Sequence, residues 1–181
     1  SASHLEARIN LHKRFGMNEV PWTEWLAGQV SILPGCRVVD IGCGPGTLWR
    51  ENQQRLPAGK FVLADLSLGM VKTSAASLAG DARFSFLQAD AQHLPLPDGC
   101  FDLAFANHML YHVPDIHLAL TELRRVLKPG GWLCAATNGK NHMRELDELI
   151  QKHLPAFTLV ERSRNRFGLE MGRELVAEHF Q

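Results

Sequence analysis

Short apolar runs alternate with longer stretches that turn apolar every three or four positions. Val38, Val39 and Ile41 form the first run, Lys60 to Ala64 the second and Phe101 to Ala106 a third. Trp132 to Ala136 is a fourth; all four read as strands, the first and third of them buried. Arg83 to Gln88 alternates polar and apolar, which suits a strand nearer a sheet edge. Between them lie helical patterns. Thr47 to Leu56 is closed by Pro57-Ala58-Gly59, and Leu68 to Leu78 carries Met70, Val71, Ala75 and Leu78 on one face. Pro114-Asp115 opens a helix that reaches Leu127 and is stopped by Pro129-Gly130-Gly131. Residues 3–15 form an amphipathic helix, and Pro21 sits in the first turn of another that runs to Val30 and is broken by Pro34-Gly35. His142 to Leu154 and Glu170 to Phe180 read as the last helices, and Phe157 to Val160 as a short strand or a buried connector.

Strands alternating with helices predict an α/β fold: a Rossmann-like, doubly wound, mainly parallel sheet with helices on both faces. We expect residues 1–35 to form an N-terminal helical cap and residues 36–181 the α/β core. In such sheets ligands bind beyond the carboxyl ends of the strands, where chain direction reverses. The candidate chemistry falls at those ends.

The first strand runs into Asp40-Ile41-Gly42-Cys43-Gly44-Pro45-Gly46. Glycines at alternate positions allow positive φ and let backbone N–H groups approach a ligand. A dinucleotide fingerprint needs G-x-G-x-x-G, but Thr47 holds the third-glycine position, and no G-K-[ST] follows to make a P-loop. Asp40 would repel phosphates and suits a ligand carrying an ammonium group. A bare strand–helix turn is the alternative. Asp65 closes the second strand nineteen positions after Gly46 (65 − 46). It could accept two hydrogen bonds from a ribose diol, or stand beside a helix capped by Ser67. Asp90-Ala91-Gln92 follows the third strand, as a nucleoside contact or an exposed turn. Asn107-His108-Met109-Leu110-Tyr111-His112 follows the strand that ends at Ala106.

These motifs, over about residues 36 to 140, resemble class I S-adenosylmethionine-dependent methyltransferases, closest to the small-molecule branch of ubiquinone and menaquinone methyltransferases. The glycine stretch resembles that family's D-x-G-C-G-x-G motif, and Leu127-Lys128-Pro129-Gly130-Gly131 its turn before the fifth strand. The resemblance implies the cofactor S-adenosyl-L-methionine. Asp40, Gly42, Cys43, Gly44 and Gly46 would then surround its methionine part, and Asp65 would hold its ribose. Leu66 and Met70 would lie against the adenine. Asp90 would accept from the adenine amino group and the next backbone N–H, at Ala91, would donate to the ring, with Gln92 beside them. Asn107 to His112 would run under the sulfonium and face a small-molecule methyl acceptor. His112, His108 and Tyr111 are the catalytic candidates, although packing roles are equally open for the histidines. His108 and His112 stand four apart, but no third metal ligand accompanies them, and no metal is expected.

Nineteen basic and nineteen acidic residues cancel, so no strong field draws the chain to nucleic acid. The four cysteines lack C-x-x-C pairing and read as buried thiols of a reducing compartment. With no signal peptide and no long apolar run, a cytoplasmic protein without a membrane span is expected. An NAD-dependent oxidoreductase is disfavoured by the glycine spacing and by Asp90. A binding domain without turnover stays open, because the family's carboxyl-terminal β-hairpin has no counterpart before Gln181. The strand Trp132 to Ala136 would then be a bare sheet edge, and a homodimer or aggregation through it is expected unless Phe157 to Val160 folds back to cover it. Phe15, Trp22 and Trp25 could cap the acceptor pocket or be plain core.

Overall fold

In the computed structural model, which describes residue 10 and residues 14–154 and 167–180, five strands form one sheet. They are β1 (Arg37–Ile41), β2 (Lys60–Asp65), β3 (Phe84–Gln88), β4 (Phe101–Asn107) and β5 (Leu127–Ala136). Their order is β3-β2-β1-β4-β5, and every neighbouring pair is parallel. The helices are α1 (Trp22–Gln29), α2 (Thr47–Asn52), α3 (Leu68–Ser77), α4 (Ile116–Val126), α5 (Arg144–His153) and α6 (Leu169–Ala177).

The two-residue side-chain period sorts the strands into two cores. Val38, Phe61, Leu63, Leu103 and Phe105 face one way and pack with Leu26 of α1 and Leu48 and Trp49 of α2. Val39, Ile41, Ala64, Ala104 and Ala106 face the other way and meet Ala119, Leu120, Leu123 and Val126 of α4. Both faces of β1, β2 and β4 are therefore covered, and β3 occupies one edge, whereas no residue of β5 from Trp132 to Ala136 is buried. At the amino ends of the strands, Asp102 accepts from Arg37 N at 2.8 Å and from Lys128 Nζ at 2.6 Å, tying β1, β4 and β5.

Three local readings change. The helix after the glycine turn is α-helical only to Asn52 and continues as a 3-10 turn, Gln53–Arg55. The Arg83 guanidinium explains the early end. It donates to the carbonyls of Gln53 (2.9 Å) and Leu56 (2.7 Å), which an extended helix would turn elsewhere. The Lys128–Gly131 segment is a bulge within β5 rather than a turn before it. Phe101 pairs with Leu127 and Leu103 with Trp132, so the extra residues of β5 are accommodated by a register shift. The amphipathic helix read over residues 3–15 lies mostly outside the described residues, and the segment Phe157 to Val160 lies wholly outside them. No helix among the described residues is long and apolar enough to cross a membrane.

The long connection from β3 to β4 is held to α4 chiefly by Arg125, with Glu122 accepting from Leu94 N at 2.8 Å beside it. Arg125 donates to the Leu94 carbonyl (2.9 Å), the Leu96 carbonyl (2.8 Å) and Glu122 (2.6 Å), and also pairs with Asp98. Replacing Arg125 with Ala takes the donor from two carbonyls and the cation from the Glu122 and Asp98 carboxylates, so urea denaturation should show a loss of about 2–3 kcal/mol. Lys, lacking the planar fork, should restore only part of it.

Candidate functional site

The strand order places β1 between β2 and β4, so the connections leave β1 in opposite directions and open a crevice at its carboxyl end. The glycine turn lines that crevice. Gly42, Gly44 and Gly46 have φ of 73°, 56° and 75°, a region that L side chains rarely adopt. Gly42 is also constrained by space, since a Cβ there would stand 2.6 Å from Met109 Cβ. The turn after β1 and the turn after β4 thus touch at the switch point.

The backbone donors of the turn are held by the end of β2. Gly42 N and Cys43 N both donate to the Ala64 carbonyl, at 2.8 and 3.0 Å. Gly44 N donates to Asp65 Oδ2 at 2.9 Å, and Ser67 N donates to Asp65 Oδ1 at 2.8 Å. Ser67 in turn caps α3 by accepting from Met70 N at 3.4 Å. Asp65 is therefore a clasp between the glycine turn and the start of α3. Each oxygen has accepted one hydrogen bond, and a carboxylate has about four acceptor positions, so capacity remains toward the crevice. Leu66, 68% exposed, and half-buried Met70 lie next to it in the chain.

Asp40 has a different environment. It is buried, its Oδ2 accepts from Trp49 Nε1 at 2.7 Å, and its Oδ1 has no partner. Desolvation is the main cause that pushes its pKa up to about 7; the Trp49 hydrogen bond opposes the shift and the charge of Asp65 adds to it. Burial likewise pushes the Cys43 thiol up, helped by the charges of Asp40 and Asp65, so Cys43 stays a protonated thiol at neutral pH.

After β3, Asp90 is fastened by Gln92. Its Oδ1 accepts from Gln92 N (2.9 Å) and Gln92 Nε2 (3.1 Å), and the first of these is the main cause of its lowered pKa. Gln92 Oε1 accepts from Asp115 N at 3.0 Å, so Gln92 braces Asp90 against the start of α4. Ala91 is buried beside them.

At the end of β4, Asn107 carries the plainest sign of a ligand. Its Nδ2 and Oδ1 are both buried and neither has a hydrogen-bond partner in the structure. An amide left so costs several kcal/mol in total unless something polar meets it. His108 follows with φ of 54°, a costly conformation for a non-glycine residue. Its ring lies 5.2 Å from that of Trp22, which brings α1 to the strand ends. Leu110–His112 is a 3-10 turn in which Leu110 and Tyr111 are buried, and His112 is exposed with its ring 4.5 Å from that of Tyr111. His108 and His112 therefore do not share a continuous helical face. Two hollows stand apart from the glycine turn. A gap beside Trp49 is walled by Leu48 and Phe105, and a hollow of about 270 Å³ lies between β5 and α6.

Trp49 was not legible as a site residue, because its pairing with Asp40 depends on how α2 folds back after the turn. The structure thus places Asp40, Asp65 and Asp90 in or just past the carboxyl ends of three adjacent strands, β1, β2 and β3, with unpartnered buried atoms on the Asp40 carboxyl and the Asn107 amide. That set fits a ligand with a cationic end and a nucleoside end. The fold is that of a doubly wound, parallel α/β domain with these polar groups at its switch point.

A family model described as a methyltransferase domain matches residues 39–135, and the chain belongs to that family. It is 32% identical over 142 residues to a malonyl-[acyl-carrier protein] O-methyltransferase of Serratia marcescens, covering 74% of this chain and 52% of that protein. It is 36% identical over 117 residues to a ubiquinone/menaquinone biosynthesis C-methyltransferase of Hahella chejuensis, covering 62% of this chain and 47% of that one. Among solved structures, the [4+2]-cyclase SpnF matches with a TM-score of 0.58 at 32% identity, over 62% of this chain and 42% of that one. S-adenosylmethionine-dependent methyltransferases are among the other structural matches. The chain spans about half the length of the curated relatives it matches.

Asp40 makes the site sensitive to pH. The folded chain keeps a proton that the unfolded chain, with a carboxyl near 3.8, releases. Folding therefore takes up a proton between about pH 4 and 7, and this group makes stability fall as pH rises through that window. Asp40→Asn should remove that fall in denaturation measured from pH 4 to 8 and leave the variant the more stable protein at pH 8.

Proposed function

We propose that this domain binds S-adenosyl-L-methionine and serves methyl transfer to a small-molecule acceptor. The reading rests on three acids and the unpartnered Asn107 amide standing at the carboxyl ends of four neighbouring strands, on the side where the glycine turn leaves β1. In this reading Gly42, Cys43, Gly44 and Gly46 form the backbone wall beside the amino-acid part. Asp40 Oδ1, which has no partner, meets the ammonium group. Asp65, already oriented by Gly44 N and Ser67 N, offers its remaining lone pairs to the ribose diol. Asp90 and the Ala91 N–H read the adenine edge, with Leu66 and Met70 on its face and Gln92 as the brace. Asn107 supplies the other polar contact at the switch point.

When bound, the cofactor supplies an electrophilic methyl carbon. The chain's task is then to hold the acceptor in line and exclude water. His108 and Trp22 stand together where α1 meets the strand ends, which supports residues 1–35 as the cap over the acceptor. His112, exposed beside Tyr111, is the candidate base for an acceptor that must first lose a proton. Tyr111 is buried, which suits it to positioning that ring. The acceptor classes printed for relatives, an acyl-carrier-protein ester and a quinone precursor, are the first to try.

A second reading keeps the cofactor and drops the transfer. It is favoured by the match to a protein named as a cyclase, since fold alone does not set chemistry. Calorimetry separates the possibilities. S-adenosylhomocysteine should bind the folded chain, NADH should not, and Asp65→Ala and Asn107→Ala should each weaken binding at least about tenfold. Absence of any S-adenosylhomocysteine heat from well-folded chain rejects both readings; binding without transfer to either acceptor class favours the second.

The outer edge of β5 has no strand beside it among the described residues, and Trp132 on it is 74% exposed. We propose pairing there with a second copy. Light scattering after size exclusion should give twice the chain mass; a monomer over a wide concentration range refutes it.

A further inference from the structure

Away from the strand ends, three side chains distant in sequence meet on the surface. His117 lies in the first turn of α4, and Glu178 and His179 directly follow α6. His117 Nδ1 stands 3.2 Å from His179 Nε2 and 3.6 Å from Glu178 Oε2. One ligand atom from each of the three lies within 4.8 Å of the others. Two ligand nitrogens held at about 2.0–2.1 Å on a tetrahedral zinc ion stand roughly 3.3 Å apart, close to the spacing found here. We propose that His117, Glu178 and His179 form a binding site for a divalent transition metal of the zinc type, which fastens α6 to α4.

The surroundings set the imidazoles for this role. Thr121 Oγ1 donates its proton to the His117 carbonyl at 2.8 Å. Its contact with His179 Nδ1 at 3.4 Å therefore has the ring N–H as donor. With Nδ1 protonated, His179 Nε2 carries the lone pair, and that atom faces His117. A hydroxyl that fixes the tautomer of a ligating histidine is the usual outer support of a metal site. Two imidazoles and one carboxylate suit zinc better than magnesium or calcium, and three protein ligands leave a fourth position for water. The backbone that presents them is anchored independently. Leu175, Val176 and Phe180 pack against the same core as Ala119, Leu120 and Leu123 of α4. His117 and Glu178 are exposed, so an ion can reach them.

The other end of α6 is already tied, because Thr137 Oγ1 donates to the Phe167 carbonyl at 2.6 Å and Leu169 N to the Asn138 carbonyl at 3.2 Å. A metal at the far end would fix the helix at both ends over the face of β5.

The test is a calorimetric titration of the whole chain, treated with chelator and dialysed, with zinc chloride. One zinc should bind per chain, and the melting temperature should rise with zinc concentration. His117→Ala and His179→Ala should each abolish that binding step, and Thr121→Val should weaken it about tenfold. Circular dichroism should show all the variants folded without metal, since the side chains lie at the surface. Absence of a zinc-binding step in the parent overturns the proposal. A step of unchanged affinity in the His117→Ala/His179→Ala double variant does so as well, because it would place the ion elsewhere.

Discussion

The clasp made by Asp65 and the Ala64 carbonyl is what the site depends on. Three consecutive residues of the glycine turn, Gly42, Cys43 and Gly44, direct their N–H groups to the end of β2. A turn in which three glycines adopt positive φ would otherwise be a floppy segment with exposed donors. Here its shape is imposed from β2, and Met109 closes it from the side of β4. The cradle is thus formed before any ligand arrives, which lowers the ordering cost of binding. Asp65 serves the fold and the proposed ribose contact together, because a carboxylate has more acceptor positions than the turn consumes.

Asp90 and Asp40 differ in charge state because one is hydrogen-bonded and the other is buried. Asp90 accepts hydrogen bonds that favour its ionised form and remains a carboxylate. Asp40 is buried, has one donor and feels the charge of Asp65, so it holds its proton up to about pH 7. A cationic group against Oδ1 would reverse that balance, since an opposite charge favours ionisation. The same aspartate that burdens the ligand-free fold would then become the point of attraction. Such conflicts between stability and ligand recognition concentrate at binding sites.

Much of this was legible along the chain. Strand positions follow from short apolar runs, and the two-faced core follows from their burial on both sides. The strand-end location of Asp40, Asp65, Asp90 and Asn107 follows from the alternation of strands and helices. What escaped reading depends on partners distant in sequence. Trp49 meets Asp40 only because α2 folds back over β1. The early end of α2 depends on Arg83, which lies beyond two further elements. The β5 bulge depends on the register that β4 imposes. His117 and His179, 62 positions apart, carry no shared motif. Spacing rules detect local geometry, and these contacts belong to tertiary packing.

The two halves of the crevice also differ in how they are built. The side proposed for the nucleoside rests on β1, β2 and β3, whose register is continuous and whose polar groups brace one another. The side proposed for the acceptor rests on the turn after β4, with a strained His108, a 3-10 turn and an aromatic contact to α1. Strain and short elements tolerate substitution in shape more readily than a paired strand does. A common cofactor pocket beside a variable acceptor wall would let relatives named for an O-methyltransferase, a C-methyltransferase and a cyclase share one sheet. On the proposed reading, specificity in this chain would reside with Trp22, His108 and their neighbours, where packing rather than backbone pairing sets the geometry.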